Sequence, residues 1–384
     1  MLSKKISISI FALLLLVLIP FLNVYGFVKA DEKLNCKANL LMDFGTGEIL
    51  SENNSTKHLP IASVTKLTTL LLAFEALESG KLSLDQKLIA SENASGMGGS
   101  QVFIDANAEY TVENLLHAIV ISSANDACVV IAEEIGGSEQ GFVDMMNDKA
   151  KSLGAMDTNY TNCTGLPSAT AYSCAKDVAL IMREVLNYPK YFEISKIWME
   201  DFEHPSGRVT EMANTNKLLR SYKACDAGKT GSTNEAGFCM SASAKKGDTR
   251  LIAVVLGAEN SKARFGACAD MFDWGFANFV STKIIDSNEI ISDIPQIAKA
   301  KNNAEFVASE DYFALCKKGE DAGIQVNYEY MKTTAPISQG EIVGKIILTK
   351  NNVVVKEIDI ISNNEVQKKG FKDTISDIFN KWKY

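Results

Sequence analysis

Histidine is scarce in this 384-residue sequence, which contains only His58, His117 and His204. None of the three adjoins a plausible serine or cysteine nucleophile. The sequence also lacks a G-x-S-x-G segment, the sharp turn that exposes the nucleophile of α/β-hydrolases. A Ser-His-Asp triad is therefore not indicated, and a catalytic serine here would need another base.

Cysteine pairs of the metal-binding or redox kind are also missing. No C-x-x-C pair and no cysteine and histidine spacing typical of a metal site occurs, so neither a metal nor an organic cofactor is implied. Buried thiols are expected, with one or two disulfides as an alternative. Cys36 follows Leu34-Asn35 in faint likeness to a lipoprotein box, but it lies well beyond the apolar run. The eight cysteines are Cys36, Cys128, Cys163, Cys174, Cys225, Cys239, Cys268 and Cys316.

Beyond the N-terminus, no apolar run is long enough to suggest a transmembrane helix. Residues 1–30 place Lys4 and Lys5 before an apolar run that ends at Ile19, and they finish at Ala30. This layout predicts a cleavable secretory signal, with an uncleaved anchor as the alternative, and either would place the rest outside the cytoplasm. The segment carries three lysines and no acid, so 36 basic and 47 acidic residues remain, a net charge of −11. Nucleic acid is an improbable partner at that charge.

The middle of the chain predicts a mixed α/β domain over residues 31–280. Residues 38–50 have the pattern of a β-hairpin, and residues 62–78 predict a central buried helix that Gly80 ends. Residues 251–256 have the length of a strand that pairs with residues 238–244. This order predicts one sheet assembled from distant segments, with a helical part inserted. Further helices are predicted at residues 112–121, 125–135, 141–153 and 175–186.

After residue 279 the pattern changes to strand-like alternation. Residues 342–348 connect through Asn351-Asn352 to residues 353–360, which predicts a small β-rich domain over residues 284–365. Residues 367–384 then predict an amphipathic helix with lysines beside its apolar face. Such a helix fits a membrane interface, while packing on the β-rich domain is the alternative. The apolar face consists of Phe371, Ile375, Ile378, Phe379 and Trp382.

Three short motifs combine the side chains that could carry chemistry. Ser63-Val64-Thr65-Lys66 begins the buried helix, where an offset of three residues brings both polar side chains to one face. Ser123-Ala124-Asn125 falls between two predicted helices, where a loop can point a hydroxyl and an amide into a cleft. Lys229-Thr230-Gly231 precedes a predicted strand, and its glycine leaves room for a ligand backbone. Each motif alone is common, but the three in this order indicate one active site.

The first motif predicts a serine nucleophile with a lysine base. A serine hydroxyl reacts poorly until a base removes its proton. Lys66 could serve only if burial or a nearby cation lowers its pKa from about 10.4 toward neutrality. A drop of about three pKa units corresponds to about 4 kcal/mol, which a desolvated site with a second cation could supply.

The three motifs resemble the S-x-x-K, S-D-N and K-T-G set of class A β-lactamases and penicillin-binding proteins. With Ser-x-Asn in second place, the chain is identified as a member of the D-alanyl-D-alanine carboxypeptidases, the low-molecular-mass penicillin-binding proteins. The resemblance covers nearly the whole chain after residue 30. Other segments that carry it are Leu41-Met42-Asp43, Thr46-Gly47-Glu48, Pro60-Ile61-Ala62, Gly98-Gly99-Ser100, Thr164-Gly165-Leu166-Pro167, Asn214-Thr215-Asn216-Lys217 and Trp274-Gly275-Phe276.

The resemblance implies a fold and a reaction. The expected α/β (α+β) domain has an antiparallel sheet with helices on both faces and a helical subdomain, followed by the β-rich domain. Ser63 would form the acyl-enzyme with Lys66 as general base, Ser123 would relay a proton to the departing D-alanine, and Asn125 would hold the peptide backbone. The implied partners are peptidoglycan stem peptides ending in D-Ala-D-Ala, and β-lactam antibiotics, at the outer face of the cell membrane.

Four further residues take substrate-binding roles under the same resemblance. Lys229 and Thr230 would bind the terminal region of the substrate, and Arg264 would engage its carboxylate. The backbone N–H groups of Ser63 and Ser232 would form the oxyanion hole.

Three other functions could use similar motifs. A class A β-lactamase needs a glutamate in E-x-x-L-N to activate water, and Glu184-Val185-Leu186-Asn187 has the wrong spacing. A non-catalytic penicillin sensor would need transmembrane helices that are not visible after residue 30. An endopeptidase that cuts D-alanyl crosslinks stays open, because the width of a cleft cannot be read from sequence.

Overall fold

The computed structural model describes residues 34–373 and residue 375. The predicted signal segment and most of the predicted C-terminal helix lie outside the described residues. The helices are α1 Lys66–Glu78, α2 Glu92–Ser95, α3 Val112–Ile121, α4 Asn125–Gly136, α5 Glu139–Ser152, α6 Ala175–Val185, α7 Pro189–Ser195, α8 Leu218–Ser221 and α9 Ser261–Asn278. The strands are β1 Ala38–Asp43, β2 Ile49–Asn53, β3 Lys87–Ile89, β4 Glu109–Thr111, β5 Met199–Glu203, β6 Val209–Ala213, β7 Cys225–Thr233, β8 Gly237–Lys246, β9 Thr249–Ala258, β10 Phe279–Ile285, β11 Phe306–Ala308, β12 Tyr312–Lys317, β13 Ile324–Tyr330, β14 Ile342–Lys350 and β15 Val353–Ser362.

A five-stranded sheet in the order β2-β1-β9-β8-β7 organises the first part of the chain. All neighbouring strands are antiparallel, and β1 pairs with β9 more than 200 residues later, as Ala38 does with Leu256. The prediction of one sheet assembled from distant segments is therefore confirmed. Strand β7 lies at the edge of this sheet, so one side of its backbone is not covered by another strand.

Helices cover both faces of the sheet, as expected. Alternate residues of each strand belong to different cores: Leu40 and Val254 face one core, while Leu41 and Val255 face the other. The first core contains α1 and α3 to α6, and the second is closed by α9. Helix α9 packs closely, because a methyl group at Gly275 would lie 2.6 Å from the Leu251 side chain.

Helix α1 is buried on nearly all sides, which confirms the predicted central helix. Ten of its thirteen residues are buried, including Lys66, Thr68 and Thr69. Its first turn differs from the prediction, because Ala62–Thr65 forms a 3₁₀ turn and the α-helix begins at Lys66. Ala62 has a φ of 48°, a left-handed conformation that sets the direction of this turn.

The C-terminal part is rich in β-structure, as predicted. A four-stranded sheet in the order β11-β15-β14-β13 contains the predicted hairpin around Asn351-Asn352. Strand β10 pairs with β12 and joins this part to the first sheet, where Ser281 Oγ donates to Asp43 Oδ2 at 3.2 Å. The predicted boundary between residues 280 and 284 falls inside β10, so the division into two domains stays a prediction.

The cysteines and the helices bear on two further expectations. All eight cysteines lie in the described part of the chain and are free thiols, so the alternative of one or two disulfides is wrong. Six of them are buried, which confirms the prediction of buried thiols. Within residues 34–373, no helix combines the length and the hydropathy that crossing a bilayer requires.

Candidate active site

Ser63 and Lys66 meet at the junction between the 3₁₀ turn and helix α1. The Lys66 Nζ lies 2.9 Å from the Ser63 Oγ, because the tight turn stacks residues three positions apart. Lys66 is fully buried. The structure thus places a potential base within hydrogen-bonding distance of the predicted nucleophile.

Two further acceptors fix the Lys66 amine. It donates to Asn125 Oδ1 at 2.7 Å and to the backbone oxygen of Thr164 at 2.7 Å. A neutral lysine amine has two N–H bonds and one lone pair. When these two acceptors take both N–H bonds, the lone pair is left for the hydroxyl proton of Ser63.

The burial that holds this amine also changes its proton affinity. Removal of the ammonium group from water lowers the pKa of Lys66, because the interior solvates the charged form poorly. The nearby Asp126 carboxylate opposes this effect. The direction of the change is the one that a lysine general base requires.

Ser123 and Lys229 form a second hydroxyl and amine pair in the same site. The Lys229 Nζ donates to Ser123 Oγ at 2.8 Å and to the backbone oxygen of Thr230 at 3.0 Å. Burial, and then the positive charge of Lys66, hold the pKa of Lys229 well below its ordinary value, with Arg264 adding to this. Ser123 lies between α3 and α4 with a φ of 63°, an uncommon conformation that aims its side chain at Lys229.

Asn125 is held by the backbone of a neighbouring loop. Its N–H donates to the Ser100 oxygen at 2.7 Å, and its Nδ2 donates to the Gly98 oxygen at 2.6 Å. A side chain at Gly99 would collide with the Asn125 amide at 2.7 Å. The Gly98-Gly99-Ser100 segment therefore positions the amide that in turn positions Lys66.

Two expectations for Lys229-Thr230-Gly231 need correction. The segment lies inside strand β7, not before a strand. A methyl group at Gly231 would lie 2.8 Å from the Ile61 oxygen and 2.8 Å from the Ser63 nitrogen. The space that the glycine leaves is therefore filled by the backbone of the catalytic turn, and a ligand backbone would have to lie along the free edge of β7.

The remaining predicted site residues lie on or against β7. Thr230 is buried and donates to Thr215 Oγ1 at 2.8 Å, whereas Ser232 is exposed. Arg264 reaches the strand from α9 and donates to the Gly231 and Cys239 oxygens at 3.2 and 3.3 Å. Its Nε is buried without a hydrogen-bond partner among the described residues.

Thr164 and Thr215 had no predicted role, although both lie in segments that carried the resemblance. Thr164 contributes a backbone oxygen, and because every residue type carries one, its role could not be predicted from the sequence. Gly165 was the available signal: it has a φ of 81°, and a methyl group there would lie 2.0 Å from the Ala62 oxygen. A glycine of this kind marks a loop pressed against another backbone.

The histidines and the glutamate that the rival mechanisms would need form hydrogen bonds with residues other than Ser63 and Lys66. The three histidines have partners elsewhere: His58 contacts Asp157, His117 contacts Glu200, and His204 contacts Tyr110. Glu184, from the string nearest to E-x-x-L-N, lines a separate charged cleft with Arg183 and Lys283 and accepts from Asn187.

Comparison with known proteins identifies the family of this chain. Residues 26–260 match the family described as D-alanyl-D-alanine carboxypeptidase, and residues 279–368 match the family described as penicillin-binding protein 5, C-terminal domain. The D-alanyl-D-alanine carboxypeptidase DacF of Bacillus subtilis is 36% identical over 366 residues, which cover 93% of this chain and 94% of the relative. The D-alanyl-D-alanine carboxypeptidase DacA of Haemophilus influenzae is 30% identical over 346 residues, 88% of this chain and 87% of the relative.

Solved structures show the same architecture. Penicillin binding protein 5 from Haemophilus influenzae superposes with a TM-score of 0.67 at 29% identity, over 88% of this chain and 99% of the other. A peptidoglycan synthesis regulatory factor (PBP3) from Streptococcus pneumoniae gives 0.67 at 27% identity, over 88% and 100%. The chain belongs to the D-alanyl-D-alanine carboxypeptidase family of serine peptidases.

Proposed function

We propose that this protein removes the terminal D-alanine from peptidoglycan stem peptides through an acyl-enzyme on Ser63, and that β-lactams acylate the same hydroxyl. The observation that carries the proposal is the pairing of two buried amines with two hydroxyls in one site: Lys66 with Ser63, and Lys229 with Ser123. Such an arrangement supplies a base for attack and a proton path for the leaving group.

In the acylation step, the Lys66 amine takes the proton of Ser63 while the Ser63 Oγ attacks the carbonyl carbon of the penultimate D-alanine. The backbone N–H groups of Ser63 and Ser232 would stabilise the oxyanion. The Ser63 nitrogen lies next to β7 at Gly231, one residue before Ser232, which supports this pair of donors. The C–N bond then breaks as the proton held by Lys66 is relayed through Ser123 to the amine of the departing D-alanine, which leaves Lys66 neutral and Ser123 protonated.

In the deacylation step, a water molecule attacks the ester carbonyl and returns Ser63 to its hydroxyl form. Lys66, still oriented by Asn125 and Thr164, takes the proton of the water as it took that of the serine. The step releases the shortened peptide with a new terminal carboxylate.

The terminal carboxylate of the substrate would lie at Lys229, Thr230 and Arg264. Burial next to Lys66 disfavours the charged form of Lys229 in the free enzyme. A bound carboxylate would restore it, because an opposite charge raises the pKa of an amine. Substrate binding is therefore expected to raise the pKa of Lys229.

We also propose that the protein is secreted by its N-terminal signal and held at the membrane surface by residues 367–384. The composition of both segments supports this, with lysines beside an apolar run or face.

The function is tested by measuring D-alanine release from a diacetyl-Lys-D-Ala-D-Ala peptide, together with covalent labelling by a fluorescent penicillin. Ser63→Ala should abolish both, because both substrates acylate one hydroxyl, while Ser79→Ala, at the end of α1, should match wild type. Labelling of Ser63→Ala at the wild-type rate would assign the nucleophile elsewhere. Wild-type labelling without D-alanine release would contradict the proposed carboxypeptidase reaction.

A further inference from the structure

A cleft of about 500 Å³ opens beside the catalytic turn. Ile61 and Ala62 of the turn line it, and so do Leu166 and Pro167 of the loop that carries Gly165. Tyr172 also lines the cleft and is stacked on His58 with ring centroids 4.2 Å apart. The cleft thus adjoins the turn that carries Ser63, and its surface is mostly apolar.

The direction of the substrate follows from the order of residues along β7. The terminal carboxylate is assigned to Lys229 and Thr230, so residues that precede D-Ala-D-Ala must extend past Gly231 toward Thr233. An extended chain advances about 3.3 Å per residue, so the third residue from the carboxyl end lies opposite the last residues of β7. Thr233 lines the cleft at this point.

Glu235 supplies the charge of the cleft. It lies in the turn after β7, where the Ala236 N–H donates to Thr233 Oγ1 at 3.0 Å. Among the described lining residues it is the only one with a charged side chain. It is exposed and forms no ion pair within residues 34–373.

We propose that this cleft binds the side chain of the residue that precedes D-Ala-D-Ala, and that it prefers an aliphatic chain ending in an ammonium group. Apolar walls fit the methylene carbons, and the Glu235 carboxylate fits the cation at their end. A side chain of four methylenes and an amine reaches about 6 Å, enough to pass from a backbone opposite Thr233 toward the next turn. This inference rests on the proposed function and adds a specificity residue to it.

The test compares kcat/KM for Nα-acetyl-X-D-Ala-D-Ala peptides in which X is lysine, Nε-acetyl-lysine or norleucine. Because Glu235 is exposed, its ion pair should favour lysine over the two uncharged side chains by about two- to fivefold at low salt, with the difference mainly in KM. Glu235→Gln should bring the ratio of kcat/KM for the lysine peptide to kcat/KM for the uncharged peptides to about one. Glu211→Gln, an exposed glutamate on β6 outside the cleft, should leave the ratio as in wild type.

A charge reversal provides a second measurement that does not depend on loss of function. Glu235→Lys should prefer a peptide with X as glutamate over the lysine peptide, and added salt should weaken that preference. Equal kcat/KM for all peptides in wild type, or a lysine preference that survives Glu235→Gln, overturns the inference and leaves the proposed function standing. No D-alanine release from any peptide would instead overturn the proposed function itself.

Discussion

At the level of single residues, the site concentrates positive charge where water is excluded. Lys66 and Lys229 are 0% and 1% exposed, and Arg264 is 6% exposed. Burial lowers the pKa of all three, and the charges of Lys66 and Arg264 lower the pKa of Lys229 further. The arrangement costs stability in the free enzyme, but it makes the Lys66 ammonium easier to deprotonate and attracts an anionic substrate.

The pH dependence of acylation should report the state of Lys66. The rate of penicillin labelling should rise with pH as Lys66 loses its proton, since only the neutral amine can accept one. Burial lowers the pKa of Lys66, so the midpoint of the rise should lie below the ordinary value of 10.5. Stopped-flow labelling across pH would measure it, and a midpoint at or above the ordinary value would contradict the assignment.

Substitutions of Lys66 distinguish its role as a base from the effect of its positive charge. Lys66→Arg keeps a donor that cannot be deprotonated, so it should slow labelling about 10²- to 10⁴-fold, as Lys66→Ala should. Lys81→Ala, which removes an exposed lysine, should have no effect. Wild-type labelling by the arginine variant would rule out the proposed role.

At the level of elements, the site depends on three backbones that approach one another closely. Gly231 of β7 lies against the catalytic turn, and Gly165 of the loop before α6 lies against Ala62 of the same turn. The turn is therefore clamped between a strand and a loop, and the loop presents the Thr164 oxygen to Lys66. Side chains larger than hydrogen at either glycine would push these backbones apart.

Gly165→Ala should test this clamp, with Gly154→Ala as a matched control. Both glycines have positive φ, 81° and 77°, so both variants should lose about 1–2 kcal/mol of unfolding free energy from the left-handed conformation. Only Gly165 meets another backbone, so its variant should lose about 1–3 kcal/mol more and label more slowly with penicillin. Urea unfolding and labelling rates would measure both, and equal losses in the two variants would argue against the clamp.

At the level of the whole molecule, the active site and the C-terminal tail, residues 367–384, belong to different parts of the chain. The site is built from residues 61–66, 98–125, 164–166 and 215–264, while the tail follows the β-rich part after Val366. Loss of the tail should therefore separate membrane attachment from catalysis.

Deletion of residues 367–384 should release the mature enzyme from anionic vesicles without changing its activity on small peptides. Each lysine near a charged surface contributes about 1 kcal/mol, and burial of the apolar side chains adds to this. Co-sedimentation of full-length and truncated protein at low and high salt would measure the difference. Equal binding by both forms would mean that the tail does not anchor the protein.

Local patterns in the sequence were enough for five of the helices and for one pair of site residues. The Ser63 and Lys66 contact follows from an offset of three in a helical segment, and the helices at residues 112–121 and 125–135 follow from periodicity and from the loop between them. Helix α9 escaped prediction, since small and apolar residues lie all around it and leave no clear stripe. The resemblance supplied the family, which the comparisons show.

Only the tertiary structure decided how distant segments meet. The Lys229 and Ser123 contact joins residues 106 positions apart, and the Lys66 amine depends on a backbone oxygen 98 positions away. Backbone atoms and close glycine contacts leave little trace in a sequence, because any residue carries the same carbonyl. The fully buried surroundings of Lys66 likewise arise from packing, and so does the lowering of its pKa, which no pattern of residue types can supply.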